Sequence, residues 1–232
     1  MPLKDDVAAM CDEAVRLNAK LLNACPTERI QVVLSDVTEF ENGWAITVPR
    51  NRIHLYGVGP GSHSTLNFTD DYLRTLVLHE VFHIVHLEVV SGVARWVNRI
   101  LGKSWPPNQL LPTFLLEGMA VYAETRLSDG GRNRNAYVTG LLRVQAEAGQ
   151  TWSFDDVARP PRSPPGAQAA YFYGGRFVAF VVARHGEDVL SEFVHQYGGQ
   201  VIPYAVQRTF AKPPALISTR NGAFSSALCK KS

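Results

Sequence analysis

The sequence predicts an α+β chain, with a small N-terminal β-sheet followed by a mostly helical half. Three observations predict it. Three short runs rich in β-branched and aromatic residues crowd between positions 30 and 56, separated by turn residues. After position 69 the apolar residues recur at helical spacing. No internal repeat is visible, and the order runs from strands to helices. The 232 residues are enough for one sizeable core or two small ones. A composition of 46% hydrophobic and 19% charged residues excludes wholesale disorder. The net charge of +2 is too mild to argue for nucleic acid or an anionic membrane surface as partner.

Taken in order, residues 5–24 form a helix, with Val7, Met10, Cys11, Ala14, Leu17, Leu21 and Leu22 on helical spacing and Pro26 stopping it. Acids stand among the first residues where a signal peptide carries an apolar run, so no export signal is visible. Cys11, Cys25 and Cys229 are an odd, scattered set. On one helix Cys11 and Cys25 lie about 20 Å apart, too far to bridge. A disulfide scaffold is therefore not expected, and the compartment stays open. Residues 30–34 (IQVVL), 44–48 (WAITV) and 52–56 (RIHLY) read as strands, and 57–64 as a loop.

A long helix follows over about 70–90, with Thr69 or Asp70 as its N-cap. It is apolar nearly all round, which marks it as buried. Residues 102–112 are a loop and 113–126 a second helix. The turn 128–135 carries Arg132 and Arg134, which read as solvated. Residues 135–148 form a third helix, 159–166 an irregular loop, and 169–185 and 187–197 two more helices. The longest uncharged apolar stretch, 177–183, is far short of the ~20 residues a spanning helix needs, so no transmembrane segment is expected. The expectation is one domain over 1–211, with a sheet part about 28–68 and a helical part about 69–200. Residues 212–232 read as an irregular tail.

The chemistry sits in the buried helix, where residues 79–83 read His-Glu-Val-Phe-His. Positions i and i+4 lie about 6 Å apart along a helix and nearly in line, so two imidazoles can grip one metal ion from the same side. Glu80 projects to the edge of that face, able to reach a water beside the metal without being a ligand. Two imidazoles and a carboxylate on a buried helix would cost several kcal/mol without a shared partner, and a metal ion supplies one. Catalytic zinc takes three protein ligands and keeps one position open. His86 lies about 10 Å along the axis from His79, too far for the same ion, and reads as core or as support behind the ligands. Glu88-Val89 stand where a metzincin needs Gly and a third His, which excludes that class. The remaining third ligand is Glu117, set among Leu115, Leu116, Met119 and Ala120 on the second apolar helix.

HEVFH followed by a helix bearing LLEGMAVYAE resembles the gluzincins of the MA clan of zinc metallopeptidases, and most of all the peptidase-MA-like branch. The resemblance covers about residues 30–200. It implies a zincin-like arrangement with the active-site helix between sheet and helical half, and one Zn2+ per chain. His79, His83 and Glu117 would be its ligands and Glu80 the general base. Glu124 matches an acid that orients a ligand histidine; a surface salt bridge is the alternative. Tyr171, opening Tyr-Phe-Tyr-Gly174, resembles a Y-x-x-G element whose Tyr hydroxyl stabilises the oxyanion. Tyr173 is the alternative donor, and packing of an aromatic pair a third reading. Residues 36–56 resemble the strand pair that precedes the motif in that family. There an edge strand receives the substrate backbone, here within 44–48 or 53–56.

The implied activity is hydrolysis of a peptide or protein substrate. The motif that reads a free substrate amine is missing, so exopeptidase action is not implied. Many relatives are exported and continue into a β-propeller. The chain is either a free-standing domain or a piece of a longer one, and an extracytoplasmic setting follows if its N-terminus is truncated. Two readings compete: a catalytically inactive zinc-binding module, and a metal-free helical interaction module with a chance motif. Oligomeric state stays open.

Overall fold

The computed structural model describes residues 2–39, 42–61, 64–67, 71–159 and 165–201. The order is α1 (Pro2–Leu22), β1 (Gln31–Ser35), β2 (Gly43–Ile46), β3 (Arg52–Tyr56), α2 (Tyr72–Leu87), α3 (Gly92–Leu101), α4 (Thr113–Leu127), α5 (Ala136–Glu147), α6 (Phe154–Val157), α7 (Ala169–His185) and α8 (Asp188–Tyr197). This is the α+β order expected, a small sheet and then helices. The proposed tail, 212–232, lies outside the described residues.

Helix α1 buries Val7, Cys11, Ala14, Asn18 and Leu22 along one stripe. The Asn18 amide donates to the carbonyls of Ala14 (3.0 Å) and Leu78 (3.1 Å), tying α1 to α2. Arg74 of α2 reaches back to Glu13 with two hydrogen bonds of 2.9 and 3.2 Å. Cys11 is a free, buried thiol. Cys25 is disulfide-bonded, but not to Cys11.

The three strands order as β1-β3-β2, with β1 parallel and β2 antiparallel to β3. Alternation follows from the pleat: Ile53 and Leu55 enter the core, while His54 stacks on Trp44 (5.2 Å) and approaches Tyr56 (5.0 Å) on the other face. The central strand is β3, hydrogen-bonded on both sides, which removes 53–56 as a substrate-receiving edge. Of the two candidates only β2 remains an edge.

Helix α2 runs through the core. Of residues 75–87 only His83 is less than fully buried. The expected caps Thr69 and Asp70 lie outside the described residues. Asp71 fills the role, accepting from the Arg74 amide at 3.0 Å. The helix ends at Leu87 rather than 90, and the chain bends by 93° into α3. Helix α3 lies where the sequence reading names no element, although Val93, Trp96 and Ile100 recur at helical spacing, and it buries only Ala94.

Helices α4 and α7 cross backbone to backbone. A Cβ on Gly118 would meet the Gly174 carbonyl carbon at 2.4 Å, and one on Gly174 would meet the Phe114 oxygen at 2.1 Å. Only hydrogen fits at both positions. The crossing sets Glu117, beside Gly118, and Tyr171, one turn before Gly174, on neighbouring backbones.

Candidate metal centre

Three side chains from two helices converge. His79 and His83 leave α2 one turn apart, with their Nε2 atoms 3.2 Å from each other. Glu117 of α4 brings Oε2 to 3.1 Å from His79 Nε2 and 3.4 Å from His83 Nε2. The three donor atoms form a nearly equilateral triangle. With metal–ligand bonds of about 2.0–2.1 Å, the edge of a tetrahedron is about 3.3 Å. The triangle therefore fits one face of a tetrahedral site, and two imidazole nitrogens with one carboxylate oxygen are donors that could hold a divalent transition-metal ion. His79 is buried, while the His83 and Glu117 side chains stay partly exposed, at 12% and 19%.

Charge favours a cation here. Burial raises the Glu117 carboxyl, but His83 and His79 outweigh it and hold it well below the usual carboxylate range. Burial lowers His79, yet hydrogen bonds to Glu117 and Glu124 overcome that and lift it to about 9. A metal bound at Nε2 would take the place of a proton there.

The other face of His79 is locked. Its Nδ1 lies 2.8 Å from Glu124 Oε2. Glu124 is fully buried, which overturns the surface salt bridge as its role. Burial raises its carboxyl, but Arg132 and then His79 bring it below its ordinary value, so it is an acceptor and the proton sits on Nδ1. That leaves Nε2 as the ligating atom.

Glu124 is held by a residue that was read as solvated. Arg132 is 8% exposed. Its Nη1 donates to Glu124 Oε2 at 2.6 Å and its backbone amide to Glu124 Oε1 at 2.9 Å. Its guanidinium also lies over the Tyr171 ring, 5.0 Å from the centroid. The turn is tight enough to do this because Gly131, at φ +94°, packs on Thr125 where any Cβ would collide. The signal was indirect: an acid inside an apolar helix needs a cation, and Arg132 is close in sequence. Arg134 is not a free charge either. It donates to the carbonyls of Thr125, Ser128 (2.7 Å) and Gly130 (2.7 Å), closing the end of α4.

Glu80 is 4% exposed, and among the described residues no hydrogen bond or ion pair engages its carboxylate. Burial raises its pKa, against the pull of the His79 and His83 charges. Strand β2 presses on it: a Cβ on Gly43 would stand 3.1 Å from Glu80 Oε1. Gly43 was missed because a lone Gly in an Asn-Gly turn looks like turn chemistry alone.

Tyr171 stacks near His79, ring centroids 6.0 Å apart. Burial first, then the Glu117 charge, push its phenol pKa upward, so it stays a donor. Tyr173 does not join the cluster. Its hydroxyl donates to Gln145 Oε1 at 2.9 Å and its ring stacks on Trp152. Adjacent helix positions project about 100° apart, so Tyr171 and Tyr173, 200° apart, face opposite ways. His86 lies fully buried against Phe82, and burial lowers its pKa to about 3. It stands outside the triangle.

Comparison with known proteins found no matching family model, no matching curated protein and no matching solved structure.

Proposed function

We propose that this chain is a zinc-dependent peptide hydrolase of the gluzincin type, with a zincin-like placement of α2 between sheet and helices. The observation that carries the reading is the His79–His83–Glu117 triangle of 3.1–3.4 Å edges, with the buried Glu80 carboxylate following His79 on the same helix and hydrogen-bonded to no described residue. His79, His83 and Glu117 would hold the ion. A zinc ion there supplies Lewis acidity toward a water and toward a carbonyl oxygen.

The remaining steps belong to the chain. Glu80 takes a proton from the attacking water and later delivers it to the leaving amine. Its raised pKa suits a group that must hold that proton between the two transfers. Tyr171, protonated throughout, donates to the carbonyl oxygen as negative charge develops there. Glu124, fixed by Arg132, keeps His79 in one tautomer. The edge of β2, packed on Glu80, is placed to pair with an extended peptide backbone.

The test is the Glu80→Gln variant. It should retain about one zinc per chain by metal analysis and lose hydrolysis of a mixed peptide pool. Wild-type turnover should disappear with a chelator and return with zinc. Full activity in Glu80→Gln would refute the assignment. A zinc-loaded wild type that cleaves nothing would favour an inactive zinc-binding module, and protein free of zinc after careful preparation would favour a metal-free module.

A further inference from the structure

Helix α3 carries an apolar stripe with nothing packed on it among the described residues. Val93 is 56% exposed, Trp96 68%, Ile100 78% and Leu101 70%. At 100° per residue, Val93, Trp96 and Ile100 fall within an arc of about 60°, so they form one continuous ridge. Ala94, on the opposite flank, is the helix's only buried residue. Arg99 borders the ridge about 60° beyond Trp96 on the other side, with Arg95 about 40° further round.

The charge around this ridge is of one sign. No Asp or Glu occurs between Glu88 and Glu117, while Arg95, Arg99 and Lys103 do. Lys103 is consumed locally: it pairs with Glu28 at 3.1 Å and with Glu88. Those two acids are the ones that line the adjoining groove with Arg95 and Arg99. The Arg95 guanidinium donates to the Val90 carbonyl, at 3.1 Å. Neither Arg95 nor Arg99 has an acidic partner among the described residues. The chain's mild net charge of +2 therefore conceals a basic face.

We propose that α3 is a membrane-surface helix that lies in the headgroup layer of an anionic bilayer. An apolar ridge containing Trp, edged by arginines and free of acids, is the chemistry of an in-plane amphipathic helix. Ten residues span about 15 Å, too short to cross a bilayer but enough to lie along it. A second copy fits worse, since it would bring four arginines to one interface with no acid on the same face.

The test uses the full chain and sedimentation with vesicles. It should bind vesicles of equal phosphatidylcholine and phosphatidylglycerol at about 0.1 M salt, and bind less at about 0.5 M. It should bind pure phosphatidylcholine vesicles much more weakly. Trp96→Ser/Ile100→Ser should weaken anionic binding at least tenfold, on the order of the loss of two buried apolar side chains. Arg95→Gln/Arg99→Gln should weaken it by roughly 25-fold, about fivefold per charge. All four side chains are at the surface, so both variants should keep the wild-type circular dichroism. Failure of the wild type to bind anionic vesicles would overturn the proposal, as would equal binding by either double variant. So would a concentration-dependent dimer, abolished by Trp96→Ser/Ile100→Ser, in a chain that binds no vesicles. None of these readings depends on zinc or on hydrolysis, so the proposal stands or falls apart from the proposed function.

Discussion

Arg132 is the side chain on which the candidate centre rests most heavily apart from its ligands. It neutralises a fully buried Glu124, and Glu124 in turn holds His79. Removing one partner of a buried ion pair leaves an uncompensated charge. Arg132→Met should therefore cost about 3–5 kcal/mol in denaturant unfolding. It should also weaken zinc retention in chelator competition by roughly 10- to 100-fold, the usual loss when a ligand's supporting partner goes. Glu124→Gln should lose a similar factor in zinc affinity, since an amide can no longer accept as a carboxylate. Unchanged zinc retention in both would mean that His79 needs no external orientation. By contrast, Arg134→Ala removes only contacts to helix-end carbonyls and should leave zinc retention unaltered.

At the scale of elements, the centre depends on how closely α4 and α7 approach. Gly174→Ala places a methyl 2.1 Å from the Phe114 oxygen, so the helices must separate. A loss of about 1–3 kcal/mol is expected, the range for overpacking, together with weaker zinc binding as Glu117 shifts. Gly140, within α5, has open space around its would-be Cβ. Gly140→Ala should stabilise by about 0.5–1 kcal/mol through helix propensity alone. The opposite signs, read from thermal melts of the two variants, separate close approach from backbone entropy. Equal effects would show that the α4–α7 contact is not what those glycines serve.

At the scale of the molecule, an ion held by α2 and α4 would join segments 34 to 38 residues apart, counted from His83 and His79 to Glu117. Zinc at 100 times its Kd should stabilise the fold by about 2.7 kcal/mol. For a chain of this size that is roughly 5–10 °C in Tm, to be lost on adding chelator. Acid should act separately through His86, whose pKa is about 3 when folded against about 6.5 when unfolded. Between those values the unfolded chain binds the extra proton, so stability falls as pH drops from about 6.5 toward 3. His86→Leu should flatten that part of the pH profile measured on zinc-free protein; an unchanged slope would assign the loss to other groups.

The sequence by itself determined the α+β order, the burial of α2, and the pairing of two histidines one helical turn apart. Those features depend on local periodicity and on 1.5 Å of rise per residue, which any helix imposes. Glu117 was legible because a carboxylate inside an apolar helix needs a reason. Arg132, the choice of β2 over β3 as edge, and the outward face of α3 were decided by tertiary structure alone. Each depends on which distant segment packs where. A turn residue is buried only if α7 closes over it, and a strand is an edge only once its neighbours have paired. The same amphipathic spacing describes a core face and an exposed one, so periodicity finds the stripe but not what it meets.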